Sequence, residues 1–153
     1  MDVRIQGWKY ENIRGGMRDV EIDFGHAPPR WALIQMPNGT GKTTTMTLLR
    51  AALAGESLPP SAVRDFRPDE ETESGRFELR LVIDGRPLRL EMRLDYESGE
   101  ATYWTTRAAL AGGGLEEGRI LPEELDLLIT PEFTRLFIFD GEMAKQIRNV
   151  GMD

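Results

Sequence analysis

Trp31-Ala32-Leu33-Ile34-Gln35-Met36-Pro37-Asn38-Gly39-Thr40-Gly41-Lys42-Thr43-Thr44, running on through Met46, Leu49 and Leu53 to Gly55, is the stretch that decides how this chain folds. Residues 31–34 form a short, mostly apolar run, the pattern of a buried strand. Residues 43–54 carry Met46, Leu49 and Leu53 at helical spacing, and Gly55 supplies a stop. A glycine-containing loop joins the two, and strand, loop and helix in that order is the setting a phosphate-binding loop requires. Gly39 and Gly41 let backbone N–H groups turn inward around an anion. The helix start near Lys42 adds unpaired N–H groups and the positive end of the helix dipole. Lys42 reaches the β- and γ-phosphates as a point charge. Thr43 offers a hydroxyl to Mg²⁺, and Thr44 offers one to the α-phosphate. The ligand expected from this pattern is ATP with Mg²⁺. One departure stands out: the residue five before Gly41 is Met36, where the usual pattern has glycine. Met36 bears on packing at the start of the loop more than on the phosphate cradle.

Outward from the loop, residues 3–24 read as two short strands around Gly15-Gly16, with alternation at Val3–Gln6 and again at Asp19–Phe24. Residues 56–76 are polar, with Pro59-Pro60 and the acidic run Asp69–Glu73, and read as an exposed, mobile loop. The clearest hairpin follows. Phe77, Leu79, Leu81 and Ile83 share one face, as do Leu88, Leu90, Met92 and Leu94, with Asp84-Gly85 as the turn. Glu78, Arg80, Arg89, Glu91 and Arg93 fall on the opposite face, expected to be wet. Ala101–Ala109 reads as a third strand and Gly112–Gly114 as a loop. Glu123–Ile129 reads as a short helix after Pro122, stopping before Pro131. Leu136–Phe139 reads as a second buried strand, and Met143–Arg148 as the start of a last helix.

Composition narrows the classes. The chain has 153 residues, is 40% hydrophobic and carries a net charge of −7. That supports a core within one domain or part of a larger one. With no cysteine and a single histidine, His26, it has no disulfide scaffold, zinc finger, thiol nucleophile or multi-histidine metal site. The apolar runs are too short to span a membrane, no apolar signal region opens the chain, and a cytoplasmic location is expected. The negative charge provides no global attraction for nucleic acid. The arginines of the 80–107 region alternate with acids, which favours cross-strand ion pairs over a basic strip. Trp8, Tyr10, Tyr103 and Trp104 read as packing aromatics.

Leu136-Phe137-Ile138-Phe139-Asp140 ends an apolar run on an acid, followed by Gly141 and Glu142. Two roles for Asp140 stay open on spacing alone. It can hold Mg²⁺ at the end of a core strand, or sit in a linker that senses the γ-phosphate.

Asn12-Ile13-Arg14, the Pro37–Thr44 loop, the β-rich insert and Phe139-Asp140-Gly141-Glu142 together resemble the N-terminal half of an SMC-like, RecF-type ABC ATPase head. Within that class the chain is similar to the DndD ATPases of DNA phosphorothioation systems, and the resemblance covers nearly all of it. It implies an α/β fold, the N-terminal lobe of a P-loop NTPase with an antiparallel β-meander subdomain. Residues 1–55 would hold the first strands, the loop and its helix, 56–120 the meander, and 121–153 the Asp-Gly-Glu segment. It implies that Arg14 lies against the nucleotide and that Asn38, Gly39, Thr40, Gly41, Lys42, Thr43 and Thr44 form the nucleotide loop. It favours Asp140 as the Mg²⁺-ligating sensor, in the place where related heads carry glutamine, with Glu142 as the neighbouring acid. Lys42, Asp140 and Glu142 would then be the catalytic residues, and Thr43 and Asp140 the metal ligands. The signature motif and the Walker B acid pair of such heads are missing from these residues. The chain therefore reads as half a head, inactive alone, that engages the C-terminal half of the head and a second head. DNA, and a nuclease or other repair or defence subunit, are the further partners implied. A self-contained small kinase or GTPase, or a non-catalytic nucleotide-binding module, is the alternative.

Overall fold

The alternation in the first two dozen residues extends further than the turn signals suggest. The computed structural model describes residues 1–15, 17–37, 39, 41–107 and 114–138. In it β1 (Val3–Ile13) pairs antiparallel with β2 (Met17–Asp23). Helix α1 (Lys42–Ala54) follows, and Gly55 closes it in the left-handed conformation. A short α2 (Pro60–Arg64) leads into β3 (Ser74–Ile83), β4 (Arg86–Asp95), β5 (Glu100–Arg107) and β6 (Leu115–Glu117). Helices α3 (Glu123–Leu128) and α4 (Pro131–Phe137) come last. The strands make one sheet in the order β2-β1-β3-β4-β5-β6, with every described pair antiparallel. The chain is therefore an α/β protein built on a six-stranded antiparallel sheet.

The β3–β4 hairpin forms as the alternation dictates. Asp84 and Gly85 both take positive φ, 48° and 77°, the two-residue turn that matches strand twist. On β1 the pairing slips between Ile5 and Gly7, leaving Gln6 as an extra residue. This bulge changes the phase of the strand, so that Trp8 and Tyr10 lie opposite Leu79 and Phe77 on the core face.

That core face is covered by α1. Tyr10, Phe77, Leu79, Leu81, Leu90, Met92 and Leu94 are almost fully buried, as are Leu48, Ala51 and Ala52 of the helix. The two alanines are small enough to let the helix backbone approach the sheet, and Leu48 joins the same buried cluster. Each such large aliphatic side chain contributes about 1.5–3 kcal/mol when taken out of water. The far end of α1 is held by the Tyr103 hydroxyl, which donates to the Glu56 carbonyl at 2.6 Å.

The opposite face differs from the expectation of a wet surface. Glu78 and Glu91 are buried, at 8% and 4% exposure. Arginines from the same and neighbouring strands lie over them. Glu91 accepts from Arg93 Nε at 2.6 Å and faces Arg76 Nη1 at 3.4 Å. Arg76 also donates to Glu11 at 2.6 Å. Arg89 lies 3.6 Å from Glu78, and Arg93 stacks over Trp104 at 4.6 Å. Arg76 and Arg93 sit directly opposite one another, a repulsive placement that the shared Glu91 offsets. The long aliphatic stems of the arginines cover the carboxylates, and this is what buries them.

Three other expectations are corrected. Residues 31–37 take no regular secondary structure, and Trp31 and Leu33 are each 88% exposed. A strand that is apolar on both sides needs a partner on each edge, and none of the described strands pairs with it. Residues 136 and 137, expected in a buried strand, end α4 and are each 66% exposed. The cause is local. The Thr130 side chain accepts from the Phe133 N–H, Pro131 takes the first turn, and Phe133 stacks on Phe137 one turn later at 4.4 Å. The 56–76 segment is not wholly irregular. It contains α2, and the Asp69 carboxylate accepts from the backbone N–H and the hydroxyl of Thr72 and pairs with Arg18 at 2.6 Å. Asp140, Gly141, Glu142 and the expected helix at 143–148 lie outside the described residues.

Candidate functional site

Before α1 the chain places two glycines in a conformation that anion cradles use. Gly39 and Gly41 both lie in the left-handed region, at φ 79° and 84°. A side chain at either would be strained there, and nothing stands within 4 Å of the space a Cβ of Gly39 would fill. Gly41 is the N-cap of α1 and Lys42 its first residue. The helix therefore opens directly after two glycines, with the positive end of its dipole toward the loop. Thr43 is exposed, whereas Thr44 and Thr45 are buried at 8% and 4%. Asn38 and Thr40 lie outside the described residues.

The β1–β2 turn leans on this loop. A Cβ on Gly15 would stand 3.6 Å from Gly41 Cα, so one methyl group would bridge the space between the two glycines. Arg14 directly precedes Gly15 in this turn and is exposed. Its position is fixed from behind. The Arg14 N–H donates to the Phe66 carbonyl at 2.9 Å. The Tyr96 hydroxyl, buried among the strands, donates to the Asn12 carbonyl at 2.7 Å and approaches the Phe66 carbonyl at 3.3 Å. Burial pushes the Tyr96 phenol well above its ordinary value, so it keeps the proton that makes these contacts. Asn12 itself has a φ of 52°, an uncommon conformation for a side-chain-bearing residue.

Beneath the loop a second set of contacts ties α1 to the sheet. Trp8 Nε1 donates to the Tyr10 hydroxyl at 2.8 Å, Tyr10 is bonded to Thr45, and the Thr45 hydroxyl donates to the Gly41 carbonyl at 2.8 Å. Desolvation raises the Tyr10 phenol above its ordinary value, against the opposing effect of its bonds to Thr45 and Trp8. Tyr10, Thr45, Phe66 and Tyr96 were not singled out by sequence motifs as parts of this site. Thr45 directly follows the motif and was the one within reach of a sequence reading.

The residues present suit a nucleotide phosphate and a divalent ion. Two left-handed glycines, a helix N-terminus, one lysine and one exposed hydroxyl at Thr43 are the donors such a ligand requires. Among the described residues no cluster of three or more histidines, aspartates or glutamates is placed to hold a metal by itself. No helix among them is long and apolar enough to cross a membrane. A groove of about 390 Å³ opens on the charged sheet face, lined by Glu11, Asn12, Arg76, Glu91 and Arg93, whose charges are largely matched within the wall. No protein-family model matches the chain, and no curated protein matches it.

Proposed function

We propose that this chain is the N-terminal lobe of an SMC-like, DndD-like ABC ATPase head, which binds Mg²⁺-ATP in the loop 36–44. The observation that carries the reading is the pair of left-handed glycines opening α1 at Lys42, with Gly15 across the space of one methyl group from Gly41 and Arg14 directly before Gly15. In this reading the N–H groups of the loop and Lys42 hold the phosphates, Thr43 ligates Mg²⁺, and Arg14 lies along the nucleotide. Asp140 and Glu142 complete the metal and water side by resemblance. Mg²⁺, held in part by the Thr43 hydroxyl, would supply neutralisation of phosphate charge. The lobe engages the C-terminal half of a head and a second head, and their ATP-dependent closure acts on DNA together with a nuclease or another repair or defence subunit. A cytoplasmic location follows from that role.

Exposed apolar surface supports this reading. Trp31 and Leu33 stand bare just before the loop, and Leu136 and Phe137 stand bare on α4. Large apolar side chains in such numbers mark surface that another segment covers, and the C-terminal half of a head is the occupant this reading assigns. The antiparallel β3–β4–β5 segment that follows the first helices is not the parallel continuation a self-contained kinase or GTPase needs, and it fits the β-rich insert of the proposed head.

The test is Mg²⁺-ATP affinity by calorimetry, with and without a C-terminal half supplied in trans. Removing the Lys42 ammonium by Lys42→Ala is expected to weaken binding at least about tenfold, the size of one lost charge-assisted contact. Unchanged affinity in that variant ends the proposal.

A further inference from the structure

The contact between Tyr10 and Thr45 joins the middle of the sheet to the first turn of α1, and its direction is fixed at both ends. An indole N–H only donates, so the Tyr10 oxygen accepts from Trp8 Nε1. A carbonyl only accepts, so the Thr45 hydroxyl proton points to Gly41. The bond between the two hydroxyls then runs one way, from the Tyr10 proton to the Thr45 oxygen. Trp8, Tyr10 and Thr45 are 5%, 0% and 4% exposed, so water does not compete for these groups.

The end point of this relay matters because of what shares its peptide plane. Gly41, at φ 84° and ψ 27°, has no side chain to hold its peptide in one orientation. Its carbonyl receives two donors from one residue, the Thr45 N–H and the Thr45 hydroxyl, each at 2.8 Å. In a trans peptide the carbonyl and the following N–H point in opposite directions. A Gly41 carbonyl held down on Thr45 therefore aims the Lys42 N–H up, away from the helix and into the loop. A plane turned over would present an oxygen to an anion instead of a donor.

We infer that Tyr10 and Thr45 are positioning residues for the bound phosphate: through the Gly41 carbonyl they set the direction of the Lys42 N–H. The inference rests on the reading of loop 36–44 as a nucleotide site. It adds a sheet residue, remote from the motif, to the groups that determine affinity. It also separates two threonines: Thr43 meets the ligand, whereas Thr45 acts from behind the loop.

The experiment measures the dissociation constant of Mg²⁺-ATP for the unsubstituted chain and for Tyr10→Phe, Thr45→Val and Thr45→Ser, at a temperature where thermal melts show each to be folded. Tyr10→Phe keeps the ring and its packing on Phe77 (centroids 5.4 Å apart) while removing the hydroxyl. Tyr10→Phe and Thr45→Val are each expected to weaken ATP binding about threefold to tenfold, the effect of one buried hydrogen bond. Thr45→Ser keeps the hydroxyl and is expected to stay within about twofold of the unsubstituted chain. The Tyr10→Phe, Thr45→Val double variant is expected to be no weaker than the worse single one, because both break the same relay. A purely structural role would lower the melting temperature and leave the dissociation constants alone, and that result overturns the inference. So does an equal loss of affinity in Thr45→Ser. If Thr45→Val does not fold, Tyr10→Phe and Thr45→Ser carry the comparison. If the unsubstituted chain binds no ATP, the nucleotide reading itself falls and this inference with it. ATP binding that ignores all three substitutions overturns the inference alone.

Discussion

Replacing Gly75 by alanine should loosen the turn that carries Arg14, although Gly75 lies on β3 and outside that turn. A Cβ at position 75 would stand 2.1 Å from Tyr96 Oη and 2.9 Å from the Asn12 carbonyl oxygen. Ordinary contact begins near 3.4 Å, so the hydroxyl must move by more than 1 Å. That displacement breaks its 2.7 Å bond to Asn12 and its weaker 3.3 Å contact with Phe66. One buried hydrogen bond with an orphaned carbonyl costs about 1–2 kcal/mol, and the steric insertion costs about 1–3 kcal/mol more. The expected loss for Gly75→Ala is therefore about 2–5 kcal/mol, read as a shift in the urea midpoint at constant slope. Tyr96→Phe should cost about 1–2 kcal/mol by the same reckoning. The double variant separates this account from a general sensitivity of β3. With the hydroxyl gone, the added methyl has only the ring edge and Asn12 to displace, and the hydrogen bonds cannot be lost twice. The double variant should fall short of the summed single effects by about 1 kcal/mol or more. Strict additivity, or a Gly75→Ala effect below about 0.5 kcal/mol, refutes the reasoning.

Two further effects are expected. The Glu11 carboxyl is held below the ordinary carboxylate range, first by its hydrogen bond from Arg76 and also by Lys9. Its contribution to stability is therefore present above the unfolded value of 4.5 and lost as pH falls through the lower folded value. The stability gap between the unsubstituted chain and Glu11→Gln should shrink as melts are taken from pH 7 to pH 3, and a constant gap would count against the pairing. The fully buried Thr105 hydroxyl accepts from the Ile120 N–H at 2.9 Å and donates to the Gly118 carbonyl at 2.6 Å. Thr105→Val keeps the shape and strands both backbone groups, so it should cost about 2 kcal/mol in chemical denaturation, and a neutral result would show that water takes over both bonds.

How far the fold could be read depends on where its determinants lie along the chain. The β3–β4 hairpin was legible because alternation, turn chemistry and register are all local there. The body of β1 was less so, since the bulge at Gln6 reverses the alternation and a strict period of two stops at that point. The apolar runs at 31–34 and 136–139 misled because such runs carry no period. The capping pattern Thr130-Pro131-Glu132 was the stronger signal for the second of them. Glu78 and Glu91 are flanked by arginines of their own strand and of the adjacent one, and the cross-strand half of that set depends on register that no single-strand pattern encodes. At the site, the glycines and Lys42 were plain in the sequence. The contacts of Tyr10 with Thr45 and of Tyr96 with Asn12 join residues far apart in the chain, and only the sheet order brings them together.

The same sheet order governs how the molecule acquires its shape. β1 is sequentially next to β2 yet also pairs along most of its length with β3, Val3 meeting Ile83, so the whole of residues 24–73 is a closed loop between them. The β1–β2 and β3–β4–β5 units have local pairings and can form early, whereas their joining must overcome the entropy of closing that long connection. The glycines, α1 and the Phe66 carbonyl all lie inside it. The glycine loop before α1 is therefore set in place only when the two halves of the sheet dock, and substitutions along the β1–β3 seam should slow its formation even where they leave the two hairpins intact.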